Sequence, residues 1–140
     1  MIQASGCIFL SSVSGRIMMQ LRSKNVTHPS TWGFFGGKSE STERPIETLY
    51  REIEEEMGLL PDIKKVIPVS KFTSGNRNFV YNSFVVLVSD EFMPVLNSES
   101  DGYCWVNIES WPAPLHPGAG IQCKSKDFLK KLKTIYALHR

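Results

Sequence analysis

Cysteine is scarce in this chain, and what there is does not pair. Cys7, Cys104 and Cys123 are odd in number and widely spaced, with no Cys-x-x-Cys among them. That argues against a disulfide framework or a zinc site and favours a reducing, cytoplasmic setting. Long apolar runs are also missing: no stretch approaches the roughly 18 residues needed to span a bilayer. The opening Met1-Ile2-Gln3-Ala4-Ser5-Gly6 has no basic segment ahead of its apolar stretch, so a soluble, unprocessed chain without a membrane partner is expected. Neither sign of charge dominates. Sixteen Lys and Arg face 14 Asp and Glu, for a net charge of +2, and such a balance gives no reason to expect specific nucleic-acid binding. No repeat, linker or low-complexity tract divides the 140 residues. A single domain over 1–140 is therefore expected, and a chain of that size buries roughly two-thirds of its unfolded surface without staples.

What the chain does have is a stretch of glycines running into an acidic helix, Gly36 to Leu59. Pro45 suits the first turn of a helix, where its missing N–H costs nothing, and Gly58 suits the left-handed residue just past the end. At 100° per residue Ile46, Leu49, Tyr50, Ile53 and Met57 gather on one apolar arc, with Glu52, Glu55 and Glu56 on a neighbouring arc. Like charges at this spacing destabilise a helix by a few tenths of a kcal/mol per pair. A hard divalent cation such as Mg2+ turns that cost into a site, because it takes oxygen ligands, usually a few carboxylates together with substrate phosphates. Just upstream, Gly33, Gly36 and Gly37 let the backbone approach an ion or phosphate closely.

The spacing of this stretch is recognisable. Gly37, then Glu43 six positions on, then Arg51-Glu52-Ile53-Glu54-Glu55-Glu56-Met57-Gly58-Leu59 match every fixed position of the Nudix box, and the chain resembles a Nudix hydrolase. The resemblance implies an α/β/α sandwich with a mixed β-sheet between helices. It also implies hydrolysis of an acid anhydride in a small nucleotide substrate, with Mg2+ or Mn2+ required. Glu52 and Glu56 would be the principal metal ligands, Glu55 a ligand or a water-positioning group, and a carbonyl of Gly36 or Gly37 a further ligand. Arg51 and Glu43 would hold the carboxylates in register and favour the helix start. An acidic residue six places before a Trp like Trp105 often faces the metal helix and acts as general base in this family; Glu99 matches that count, with Asp101 as its competitor. Arg22, Trp32 and Lys38 are the expected substrate contacts.

Several substrates stay open. The first reading is a nucleoside diphosphate linked to another moiety, such as ADP-ribose, a nucleotide sugar or a dinucleotide. The second is a (deoxy)nucleoside triphosphate cleaved with release of pyrophosphate, and the third is a nucleotide-sensing module without turnover. A homodimer is compatible with all three. Two positions depart from the family pattern: Phe35 stands where Pro usually precedes the glycine pair, and Ser39 where an aliphatic residue is common. Either the loop is less rigid, or Phe35 packs beneath it.

Around the box, Ser5 to Leu10 and Arg16 to Arg22 read as a hairpin turned by Ser11 to Gly15. Asn25 to Ser30 is loop, with His28 at the surface. Lys64 to Phe72 and Phe79 to Val88 read as strands, the second central because it is long and rich in β-branched and aromatic residues. Asn97 to Gly102 is a polar loop ahead of a strand from Tyr103 to Ile108. Ser110 to Gly120, with Pro112, Pro114 and Pro117, is expected to be neither regular helix nor central strand. As a flap it would offer Trp111, Leu115 or His116 to a base. Ser125 caps a last helix through Leu138, with Phe128, Leu129, Leu132, Ile135 and Tyr136 at helical spacing and Lys126, Lys130, Lys131 and Lys133 on its wet face.

Overall fold

Strands at the centre of the sheet bury both faces while the helices bury one, and the layers follow from that. The computed structural model describes residues 1–58 and 60–140; Leu59, the last position of the Nudix box, lies outside them. Strands β1 (Ile2–Ser11) and β2 (Arg16–Arg22) form the expected hairpin, and short strands β3 (Trp32–Gly33) and β4 (Phe35–Lys38) lead into helix α1 (Pro45–Met57). Strands β5 (Ile63–Thr73), β6 (Phe79–Val88) and β7 (Ser100–Asn107) follow, then helices α2 (Pro117–Lys124) and α3 (Lys126–His139).

The sheet is mixed. β6 runs parallel to β1 along its whole length, from Ile2↔Phe79 to Ser11↔Val88, and antiparallel to β5, so β6 is interior as its composition suggests. β1 meets β2 at Leu10↔Ile17, next to the turn. Further from the turn β1 pairs instead with β4, Ala4↔Lys38 to Cys7↔Phe35, while β2 pairs with β3 and β7. The hairpin therefore opens away from its turn, and the glycine stretch lies in that opening.

Side chains alternate across the pleat, so two cores form. Ile8, Leu10, Ile17 and Leu87 join Phe128 and Leu132 of α3 on one face. Cys7, Phe9, Val86 and Phe35 join Leu49 and Ile53 of α1 on the other. Each fully buried Leu, Ile or Phe contributes about 1.5–3 kcal/mol, and Phe35 is among them. It sits beneath the glycine turn with its ring edge-on to Phe9 at 6.0 Å, so the residue in place of the family's Pro is a core anchor.

Three local expectations are corrected. Tyr50 is exposed, because the core-facing stripe of α1 is centred on Leu49, Ile53 and Glu56 rather than on the arc that includes Tyr50. Ser100 to Gly102 belong to β7 rather than to a loop. Their pairing with β2 absorbs one extra residue, Asp101, in a bulge opposite the Leu21–Arg22 step. Residues 117–120 are helical: Pro117 occupies the first turn of α2, where a proline needs no N–H, and the His116 side chain caps it.

Candidate active site

Helix α1 starts and stops as its sequence dictates. Pro45 opens it, the Glu47 carboxylate accepts the Arg44 N–H at 2.9 Å, and Gly58 closes it in the left-handed region at φ 75°. Those limits fix which glutamates face the glycine turn. Glu56 is buried, at 4% exposure, between α1 and β4. Glu52 lies alongside, its carboxylate packed so tightly on the Gly37 backbone that a Cβ there would overlap it. The Glu55 side chain is 55% exposed.

The Arg51 guanidinium ties these groups together. Its Nε and Nη2 donate to the two Glu43 oxygens at 2.7 and 2.9 Å, Nη1 donates to Glu52 at 2.9 Å and to Glu55 at 3.2 Å, and Nη2 also reaches the Lys38 carbonyl at 2.8 Å. All five donors of the fork have a direction assigned to them. These hydrogen bonds hold the Glu43 carboxyl down at about 2. We expect Arg51→Ala to lower unfolding stability by about 2 kcal/mol, because it strands several carboxylates in a partly buried network. Arg51→Lys should restore little of this, since an ammonium cannot fork. Thermal melts of the two variants check it.

Glu56 has the opposite environment. Its carboxyl is pushed up to about 9, first by burial, then by the charges of Glu52 and Glu99. Burial likewise raises Glu52, against the pull of Arg51. Among the described residues, no Lys, Arg or His forms an ion pair with Glu56. The donor set of Glu52, Glu56 and the adjacent glycine backbone suits a hard, oxygen-seeking cation, which would supply the positive charge that the protein withholds. No three His, Cys, Asp or Glu side chains among the described residues converge as a ready-made metal cage.

The other expected site residues fall as follows. Glu99 is exposed on the segment before β7, anchored by its carbonyl to the Ser23 N–H at 3.0 Å, and its charge bears on both Glu52 and Glu56. Asp101 is the exposed bulge residue. A cavity of about 530 Å3 opens beside the glycine turn, and Gly36, Gly37, Lys38 and Arg22 all line it. That is a nucleotide-sized volume. The Arg22 Nε and Nη2 are held by the Thr27 carbonyl and hydroxyl at 2.7 and 2.9 Å. Trp32 packs against the α3-side core and bridges to Leu115, and it is not among the residues lining the cavity. Of the three proposed flap contacts, His116 lines the cavity, whereas Trp111 and Leu115 pack on the core.

Sequence reasoning missed Gln20 and Gln122 in the cavity wall. A polar residue between Met19 and Leu21 in an apolar strand was the available signal for Gln20; it is 5% exposed and its amide donates to the Phe34 carbonyl at 3.3 Å. A wider hollow of about 850 Å3, beside Trp111 and the α3 lysines, shares no residue with this cavity.

Comparison with known proteins gives the family and the fold. A NUDIX domain model matches residues 1–124. Nucleoside triphosphatase NudI from Klebsiella pneumoniae (strain 342) is 26% identical over 113 residues, covering 74% of this chain and 80% of that protein. NudI from Salmonella arizonae is 29% identical over 121 residues, covering 79% and 80%. Among solved structures, a MutT from work on Aliivibrio salmonicida and Vibrio cholerae superposes with TM-score 0.70 at 21% identity, covering 96% of this chain and 98% of that one. RenU, a Nudix hydrolase from M. smegmatis, superposes with TM-score 0.68 at 19% identity, covering 99% and 86%. These two likenesses concern the fold. The domain match runs through both the glycine turn and the glutamate helix, and on that basis the chain belongs to the Nudix hydrolase family.

Proposed function

We propose that this protein hydrolyses a phosphoanhydride bond of a small nucleotide with the help of Mg2+ or Mn2+. The observation that carries the reading is the buried Glu56 carboxyl. It lies against the Gly36 backbone and feels the charge of Glu52, and Gly36 and Gly37 in turn line a nucleotide-sized cavity. Glu52, Glu56 and a carbonyl of the glycine turn would hold the cations, with Glu55 as a further ligand or water-positioning group. Bound there, they would neutralise phosphate oxygens, lower the pKa of water and orient its attack. Glu99 takes the proton of the attacking water, a water–phosphorus bond forms, and the anhydride P–O bond breaks with its electron pair leaving on the departing phosphate. Arg51 positions the carboxylates rather than touching the reacting atoms. Lys38 and Arg22 sit where they can meet phosphate oxygens.

Nucleoside triphosphates are the better supported substrate class, because the relatives that match over most of the chain are named nucleoside triphosphatases. A nucleoside diphosphate linked to another moiety is the alternative reading, because the Nudix box handles the diphosphate and leaves the rest to other loops. A substrate panel with Mg2+ and with Mn2+, with products identified by mass, separates them. We expect a triphosphate to be cleaved at least about tenfold more efficiently than ADP-ribose, with release of pyrophosphate, a difference of about 1.4 kcal/mol in transition-state binding. The reverse order would favour the diphosphate class. Tight nucleotide binding without turnover under any metal would favour a sensor.

We further propose that residues 1–140 act as one domain in a cytoplasmic setting. All three cysteines are free, and no helix of the described residues is long and apolar enough to cross a membrane.

A further inference from the structure

The cavity wall contains one donor that the reading above does not use. His116 is fixed by its backbone: its N–H donates to the Trp32 carbonyl at 2.8 Å, and the Trp32 N–H donates to the Pro114 carbonyl at 2.9 Å. Its ring is fixed as well, because Nδ1 accepts the Gly118 N–H at 3.0 Å and so caps α2. An Nδ1 that accepts must carry a lone pair, which leaves the proton of the neutral ring on Nε2. Burial, the Arg22 guanidinium and the edge-on His28 ring at 4.9 Å all disfavour a second proton.

Among the described residues Nε2 makes no hydrogen bond, yet none of the fully buried side-chain nitrogens and oxygens among them lacks a partner. The Nε2–H therefore opens on accessible space, and His116 lines the cavity beside Arg22. Arg22 has two of its nitrogens committed to Thr27. His116 is thus a rigid, neutral, unengaged donor in the nucleotide cavity.

We propose that His116 is a specificity-determining binding residue whose Nε2–H donates to an acceptor oxygen of the bound nucleotide. This rests on the reading of the cavity as a nucleotide site. The acceptor is either a base carbonyl, present on guanine and uracil where adenine and cytosine carry an amine, or a phosphate oxygen.

Two substitutions separate binding from capping. His116→Asn keeps a good cap for α2 but loses the distal donor, whereas His116→Gln can place an amide N–H near the Nε2 position but caps poorly. We expect H116N to raise KM about 3- to 10-fold, the worth of one neutral hydrogen bond, with kcat within about twofold of the parent and little change in melting temperature. H116Q should melt lower but keep KM near the parent's.

Measured with GTP, UTP, ATP and CTP, a rise confined to GTP and UTP assigns the acceptor to the base. An equal rise for all four, with weaker inhibition by inorganic tripolyphosphate, assigns it to a phosphate. An unchanged KM in H116N across all four, or a larger KM rise in H116Q than in H116N, overturns the inference while the parent remains active. A parent protein that neither binds nor cleaves any of the four overturns the nucleotide reading, and this inference with it.

Discussion

Glu56→Gln is expected to reduce metal-dependent turnover by roughly 10²- to 10³-fold while leaving the metal-free protein as stable as the parent at low pH and more stable at high pH. The two effects share one cause. Removing a ligand to the cations forfeits several kcal/mol of charge stabilisation in the transition state. In the metal-free protein the same carboxyl is a burden, because burial and the charges of Glu52 and Glu99 lift it to about 9 from its ordinary 4.5. A group raised in the folded state holds its proton more tightly there. The stability it contributes is therefore complete below the unfolded value and declines as pH rises through the window from 4.5 to about 9. Within that window the slope approaches about 1.4 kcal/mol per pH unit. Gln has the same shape, stays neutral and keeps an oxygen to accept from the Gly36 backbone, so the E56Q melt should lose this slope. Melting curves in chelator from pH 5 to pH 9 check the stability side, and steady-state hydrolysis checks the turnover side. A parent and a variant with identical pH dependence would show that Glu56 is not the buried acid described here.

The second large effect separates the two adjacent glycines. At Gly37 an added Cβ would overlap the end of the Glu52 side chain. That end can swing away, so Gly37→Ala should fold normally, yet it displaces a ligand. Misplacement of about 1 Å can cost on the order of 100-fold in rate, and we expect a loss of about 10- to 100-fold for G37A with little change in melting temperature. At Gly36 the Cβ would run into the Ser5 carbonyl and the Gly6 Cα, which are backbone and cannot swing away. Gly36→Ala must force β4 from β1 at the Gly6↔Gly36 pair, and overpacking of this kind typically costs about 1–3 kcal/mol. Activity and melting measured on the pair should split cleanly, with G37A slowed but stable and G36A destabilised. Loss of stability in G37A with activity retained would contradict the placement of Glu52.

Much of this site was legible in the sequence because it is local. Pro45, Gly58 and the glutamate spacing set the length and phase of one helix, and Gly36 and Gly37 lie nine and eight positions before Pro45, so short-range rules place the parts. What was not legible depended on partners distant in the chain. The phase of the apolar stripe put Tyr50 inside, whereas contact with β1 and β4 selected Glu56 instead. Residues 117–120 read as breakers, but a proline and two glycines are tolerated in a short helix whose first turn is capped by His116. Ser100 to Gly102 look like loop in isolation and become strand because β2 offers its edge. Trp32 illustrates the limit most clearly: an aromatic before a glycine turn suggests a substrate contact, and only the fold shows it packed against the core.

In the site proposed above, the buried Glu56 carboxyl gives up its proton to admit a cation. Calorimetric titration of Mn2+ into the protein near pH 7, repeated in buffers of different ionisation enthalpy, counts the protons released per ion bound. Close to one proton is expected for the parent and none for E56Q, together with weaker Mn2+ binding by the variant. Binding of equal strength in both, or binding by the parent with no proton release, would contradict it.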